Sequence, residues 1–228
     1  MMYLKRGVRW RSVWAAILLV PAFINLVWAT DSDGGSLFLE VRSGLPLNLS
    51  SDLRISQEGE PDLEFGASFR SRPLEMPLYY DIRLVRWHGA TGWGLDFLHH
   101  KLILSNPPAE VPSFEITHGF NLLTLQRLWN LSGALWMMGV GLVVAHPENR
   151  VRERELTDDG GWLGGGYHLT GPVVCAGVGR QFPLGSGFLL SVAGRLVLVR
   201  VELPVAGGDA SMPHVSGHFL LGMAYRLH

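Results

Sequence analysis

The stretch "GLDFLHHKLILSNPPAEVPSFEITHGFN", Gly94 to Asn121, gathers three histidines, an aspartate and two glutamates in a segment that otherwise alternates apolar and polar residues. His99 and His100 stand side by side before a proline-rich break, and Glu115, His118 and Asn121 follow it. Two smaller groups flank the stretch: Glu75 and Tyr79 in "LEMPLYY", and His146 and Glu148 in "VVAHPENR". Imidazole and carboxylate are the ligands expected of a zinc, iron or copper site, and the groups that move protons near neutral pH. In extended chain, adjacent residues point to opposite faces, so only one of His99 and His100 can join a shared site. Strict phase from Asp96 selects His100; a bulge or a loop at the strand end would select His99.

Those residues need a scaffold, and the chain as a whole restricts which one. Its 228 residues make one domain of ordinary size. Residues 1–29 read as a secretory signal peptide: basic "MMYLKRGVRWR", an apolar run, then small residues before a cut after Ala29. The domain is then 30–228. It has no second run of eighteen apolar residues, and "GALWMMGVGLVVA" is too short for a spanning helix but fits a spanning strand of ~9–11 residues. The single cysteine, Cys175, excludes an internal disulfide framework. A net charge of −1 supplies no basic field for nucleic acid.

The elements read as strands with a period of two. "SLFLEVR" sets Leu37, Leu39 and Val41 against Phe38, Glu40 and Arg42, and "LYYDIRLVRW" sets Tyr80, Ile82 and Leu84 against Asp81 and Arg83. "HVSGHFLLGMAYRLH" sets Val215, Phe219, Leu221, Met223 and Tyr225 against Ser216, His218, Gly222 and Ala224. One face is repeatedly small or charged and the other aliphatic or aromatic, the pattern of an antiparallel up-and-down transmembrane β-barrel, apolar outside and polar inside. Eight strands are expected, at about 36–44, 76–87, 92–99, 114–129, 134–146, 168–181, 187–203 and 214–227. Short connections at 88–92, 130–133 and 182–186 alternate with long ones at 45–75, 99–113, 147–167 and 204–213, as periplasmic turns and extracellular loops do. Both ends then lie on the periplasmic side. "DLRISQ" and "LEFGASFRS" form a hairpin within the first long loop, and Leu122–Leu123 breaks alternation, which suggests a bulge there. On this topology the chemistry-bearing residues collect at one extracellular rim, and the charges Asp81, Arg83, Asp96, Arg195 and Arg226 pair inside a narrow lumen. The terminal "GMAYRL" resembles the end signal of bacterial outer-membrane barrels.

"LEMPLYYDIRLVRW", "GLDFLHHK", "FEITHGFNLLTLQ", "GVGLVVAHPE" and "YHLTGPVVCAGVG" together resemble the lipid A oxidase family over about residues 74–203. Members of that family are small outer-membrane barrels that oxidise the proximal glucosamine of lipid A to an aminogluconate, with oxygen and a divalent metal ion. The resemblance implies a monomer in the bacterial outer membrane whose partners are lipid A and the surrounding lipid. It implies catalytic roles for Glu75, Asp96, Glu115 and Asn121, metal ligation by His99, His146 and Glu148, and substrate contacts from Tyr79, Arg83, Lys101 and His118. Position 118 departs from the family, which has an acid where this chain has His118. The alternative is a non-enzymatic barrel of OmpA or OmpW type, structural or carrying a small apolar ligand. A deacylase or palmitoyltransferase would need a serine–histidine pattern that is not visible.

Overall fold

In the computed structural model, residues 35–156, 161 and 165–227 are described, so the signal peptide expected over 1–29 lies outside them. Thirteen strands follow in chain order: β1 (Ser36–Asn48), β2 (Ser51–Gln57), β3 (Leu63–Ala67), β4 (Phe69–Arg70), β5 (Tyr80–His88), β6 (Thr91–Leu104), β7 (Ser113–Leu131), β8 (Ala134–Ala145), β9 (Glu148–Val151), β10 (Arg154–Glu155), β11 (His168–Gly185), β12 (Phe188–Val205) and β13 (Gly208–Arg226). Eight of them, β1, β5, β6, β7, β8, β11, β12 and β13, pair antiparallel around a ring. The ring closes where β13 meets β1, from Phe38↔Arg226 to Asn48↔Ser216. Closure pairs the first strand with the last, as a strand wall in hydrocarbon requires because nothing there can satisfy a free N–H or C=O.

The outer surface identifies the solvent. On β8, Trp136, Met138, Val140, Leu142 and Val144 share the outward face while Leu135, Met137 and Val143 are buried within. That apolar run matches the ~9–11 residues a tilted strand needs to span a bilayer. On β13, Phe219, Leu221, Met223 and Tyr225 are exposed on the same outer face. At the end bearing the tight turns, Arg127 lies 5.1 Å from the ring of Trp93, and Phe188 packs on Tyr225. Amphipathic rings at that level are the interfacial girdle of a membrane barrel. The protein is an eight-stranded transmembrane β-barrel of the bacterial outer membrane.

The turns carry their own chemistry. Ser132–Gly133 joins β7 to β8 with φ of 53° and 83°, and Ser186–Gly187 joins β11 to β12 with φ of 50° and 84°. Two consecutive left-handed residues make the turn whose twist matches a hairpin.

The interior has two zones. Level with the apolar band it is polar: Glu40, Arg42, Asp81, Arg83, Asp96 and Arg195 converge from β1, β5, β6 and β12, each at most 4% exposed. Arg195 grips Asp96 with two bonds of 2.8 Å and reaches Asp81 at 2.9 Å. Arg42 binds Asp81 and lies 3.2 Å from Glu40, which also accepts from Arg83 at 2.8 Å. Three carboxylates against three guanidinium groups leave this zone neutral, the condition for burying charge without a large penalty. Arg226, expected among these charges, is exposed at the strand end.

Beyond the membrane the interior turns apolar. Leu53, Ile55, Phe69, Leu102, Phe114, Ile116, Val151, Val201, Leu203 and Met212 are buried there together. The expected hairpin forms as β2 and β3, and it adds to the wall because β2 also pairs with β13. Arg54 and Asp62 bind each other on it, and that hydrogen bond from Arg54 holds the Asp62 carboxyl below its ordinary range. Two expectations need correction. Residues 204–213 are not a loop: β12 and β13 run on to a turn at 206–207, because Val205, Ala210 and Met212 have this second core to fill. Nor is there a bulge at Leu122–Leu123, where both ladders are continuous. Leu122 faces inward at a level where the interior is apolar, so two leucines in succession keep the alternation.

Candidate functional site

The bulge lies four residues earlier. Between β6 and β7 the register passes from His100↔Phe120 to Leu102↔Ile116, so β7 carries two extra residues around His118 and Gly119. Gly119 adopts φ 144°, and a Cβ there would meet the Asn121 side chain at 2.3 Å. This kink turns His118 out of the ladder toward solvent.

His146 follows the outward face of β8 past its last strand residue, and its backbone N–H donates to the Gly119 carbonyl at 3.0 Å. Glu148 opens β9, which pairs with β7 at Glu115↔Glu148. The bulge, the end of β8 and the start of β9 thereby bring His118, His146 and Glu148 together, with one ligand atom of each within 4.8 Å of the others. His118 Nδ1 donates to Glu148, and His146 Nε2 stands 3.7 Å from the same carboxylate oxygen. Thr117 Oγ1 donates to the other oxygen at 3.1 Å. Tyr167, just before β11, donates from its hydroxyl to the His118 carbonyl at 3.0 Å and sets its ring edge-on to His146. The cluster lies on the outside of the wall. Its place is just past the row Tyr80–His99–Asn121–Val144, below which the outward residues are Phe97, Leu123 and Leu142.

The donor set, two imidazoles and a carboxylate, suits zinc or ferrous iron with coordination positions left open. Glu115 adds a reason to expect a cation. It faces the same side as Glu148 directly across the ladder, and like charges so placed repel.

The remaining expected residues do not join this cluster. His99, expected as a ligand, stacks on Tyr80 with centroids 5.1 Å apart and donates from Nδ1 to Asn121 Oδ1 at 2.8 Å, both on the outer face. His100 is the residue turned inward, hydrogen-bonded to Asn48 and edge-on to His218, and His118 takes the position expected of His99. Asp96 and Arg83, expected in catalysis and substrate contact, belong to the lumen network. Tyr79 also faces inward, hydrogen-bonded to His218 at 2.9 Å. Lys101 is buried and donates to the carbonyls of Glu75 and Met76, while Glu75 is exposed in a pair with Arg72.

A second histidine group lies inside the barrel, between its polar and apolar zones. Asn48 Oδ1 accepts from His100 Nε2 at 3.1 Å and His214 Nε2 at 3.2 Å, and His218 bridges Tyr79 and Ser216. Their positions are distant in sequence, and only ring closure brings them together. His218 and Ser216, polar on the inward face of the last strand, and His100, inward by phase from Asp96, carried the usable signal.

No protein-family model matches the chain. No curated protein matches it. Among solved structures it is similar to Neisserial surface protein A, at 8% identity and a TM-score of 0.42, covering 84% of this chain and 97% of that one. It is also similar to the outer membrane protein AlkL in lipid bilayers, at 12% identity and a TM-score of 0.48, covering 85% and 90%. The outer membrane protease OmpT from Escherichia coli matches at 7% identity and a TM-score of 0.38, covering 86% and 98%.

Proposed function

We propose that this outer-membrane barrel is a metal-dependent enzyme of lipid A, oxidising the proximal glucosamine with dioxygen as electron acceptor. The observation that carries the reading is the position of the His118–His146–Glu148 group. It stands on the outer wall at the upper edge of the apolar band, where the sugar headgroups of outer-leaflet lipid lie. A site meant for a soluble ligand has no reason to face outward there. The described interior residues are a paired charge network and a buried apolar core, which counts against a carrier role.

His118, His146 and Glu148 hold the divalent ion in this reading. A ferrous ion with two histidines, one carboxylate and open positions supplies oxygen chemistry. Thr117 fixes the carboxylate, and Tyr167 fixes the bulge that carries His118. Glu115 stands beside the site as the carboxylate placed to take a proton from the sugar. His99 and Asn121 are buried, and the half-buried Tyr80 stacked on His99 is the ring against which the headgroup rests.

Mass spectrometry of lipid A from cells with and without the chain provides the test. Oxidation of a free C1 hemiacetal to the lactone passes two electrons and two protons to dioxygen, which leaves as hydrogen peroxide, and hydrolysis of the lactone to the aminogluconate takes up water. The net gain of one oxygen atom should vanish with His146→Gln or Glu148→Gln. Unaltered lipid A in all strains, with no metal in the purified protein, would leave a structural barrel as the reading.

A further inference from the structure

We infer that the outer end of β1 and the loop 71–79 form a docking surface for acyl chains of outer-leaflet lipid. The surface arises from a missing length of strand. β5 begins at Tyr80 and its pairing with β1 stops at Arg42↔Asp81, yet β1 continues to Asn48 with β13 alone as its partner. On the other side, β6 runs on to Leu104, met only by the two-residue β4 at Phe69↔Leu104 and Arg70↔Ile103. Between β1 and β6 the upper wall therefore lacks a strand, and loop 71–79 fills the gap.

The loop is held at both ends and in the middle. Ser71 accepts from Asn48 at 3.0 Å and donates to the Lys101 carbonyl at 2.6 Å. Ser43 donates to the Tyr79 carbonyl at 2.9 Å, and the Tyr79 N–H donates to Pro73 at 2.9 Å. The Lys101 ammonium donates to the carbonyls of Glu75 and Met76, each at 3.0 Å. A loop so fixed presents its side chains in set directions, and apart from the paired Arg72 and Glu75 the exposed ones are apolar. Leu74 is 84% exposed and Met76 80%, with Leu78 beside them. The outward residues of the adjoining strand end are Leu45, Leu47 and then Leu49, all exposed.

Six apolar side chains held in place against water would be unfavourable, since nothing removes their surface from it. Continuity names the occupant. Leu45 pairs in register with Phe219, and below it Val41 and Ile82 belong to the lipid-facing band. The patch continues that band along β1 and onto the loop, and its charges are the exposed pair Arg72 and Glu75, too few to specify a protein partner. Lipid chains therefore cover this side, whereas along β7 to β9 the outer face past Val144 carries His118, His146, Glu148 and Arg150. This inference does not depend on the enzymatic reading.

The test places a fluorescent thiol label at Met76→Cys, and separately at Leu47→Cys, on the folded chain in phosphatidylcholine vesicles. Native Cys175 stays unlabelled because it is buried. Vesicles whose acyl chains carry bromine should quench both labels at least as strongly as a label at Val41→Cys in the band, while aqueous iodide should quench a Glu64→Cys control on β3 instead. Adding Lys101→Met should shift the label at 76 from bromine quenching toward iodide quenching. Iodide quenching without bromine quenching in both variants would overturn the inference. So would self-quenching that grows with protein density and ignores bromine, which would assign the patch to a second copy of the chain.

Discussion

At the residue scale, what a side chain does here depends on which side of one wall it faces. His99 and His100 are neighbours in sequence, yet one stacks on Tyr80 on the outward side and the other is sealed within the lumen. His118, displaced by a bulge, reaches the cluster instead. His118→Gln, His146→Gln or Glu148→Gln should abolish binding of zinc or ferrous iron measured by calorimetry on the folded barrel, while His99→Gln and His100→Gln retain it. Thr117→Val, which removes only the bond to the Glu148 carboxylate, should weaken binding by about 10–100-fold. Asp96 makes a different demand. It meets both Arg195 and Arg42 in a dry interior, so Asp96→Ala should cost ~3–5 kcal/mol in urea unfolding because it strands charge. An Asp96→Ala barrel as stable as the parent would break the account of the lumen.

At the element scale, the strands were legible in sequence and the irregularities were not. Alternation such as Asp81/Ile82/Arg83 and Leu221/Gly222/Met223 marks inside from outside directly, and all eight wall strands follow from it. The rim cluster was only half legible. His146 and Glu148 follow the outward phase of β8, but the two-residue bulge at His118–Gly119 has no periodic signature, and the doublet Leu122–Leu123 drew attention to the wrong place. The second core likewise escaped, because Val201 and Leu203 read as ordinary wall and Met212 as loop until β2 and β3 join them. Two predictions belong to this scale. Leu221→Arg, on the lipid face of β13, should cost ~2–4 kcal/mol if it lies near the bilayer midplane. Gly119→Ala forces a side chain into a backbone conformation reserved for glycine, and should abolish metal binding while leaving the heat-modifiable mobility of the barrel on gels intact. Retained metal binding in that variant would mean that the bulge does not place His118.

For the whole molecule, the two interior zones form a plug in series. Ions crossing would have to break the paired charges around Arg42 and Arg195 and then enter an apolar core, so the barrel should show no steady conductance in planar bilayers. Conductance that persisted with the full chain would contradict the packed interior. The closure of the ring has a further consequence, for the order of assembly. Arg42 sits on β1 while Arg195 sits on β12, and both bind Asp81 of β5 and Asp96 of β6. Until the first and last strands meet, Arg195 stands at the far end of an open sheet from Arg42, Asp81 and Asp96, which lie on the neighbouring strands β1, β5 and β6, and that polar face cannot be abandoned to hydrocarbon. The seam between β1 and β13 is therefore a clasp that fastens last, and the pairing of Arg195 with both carboxylates arrives with it. A chain cut short before β12 would be left with unanswered carboxylates and no way to settle in the membrane.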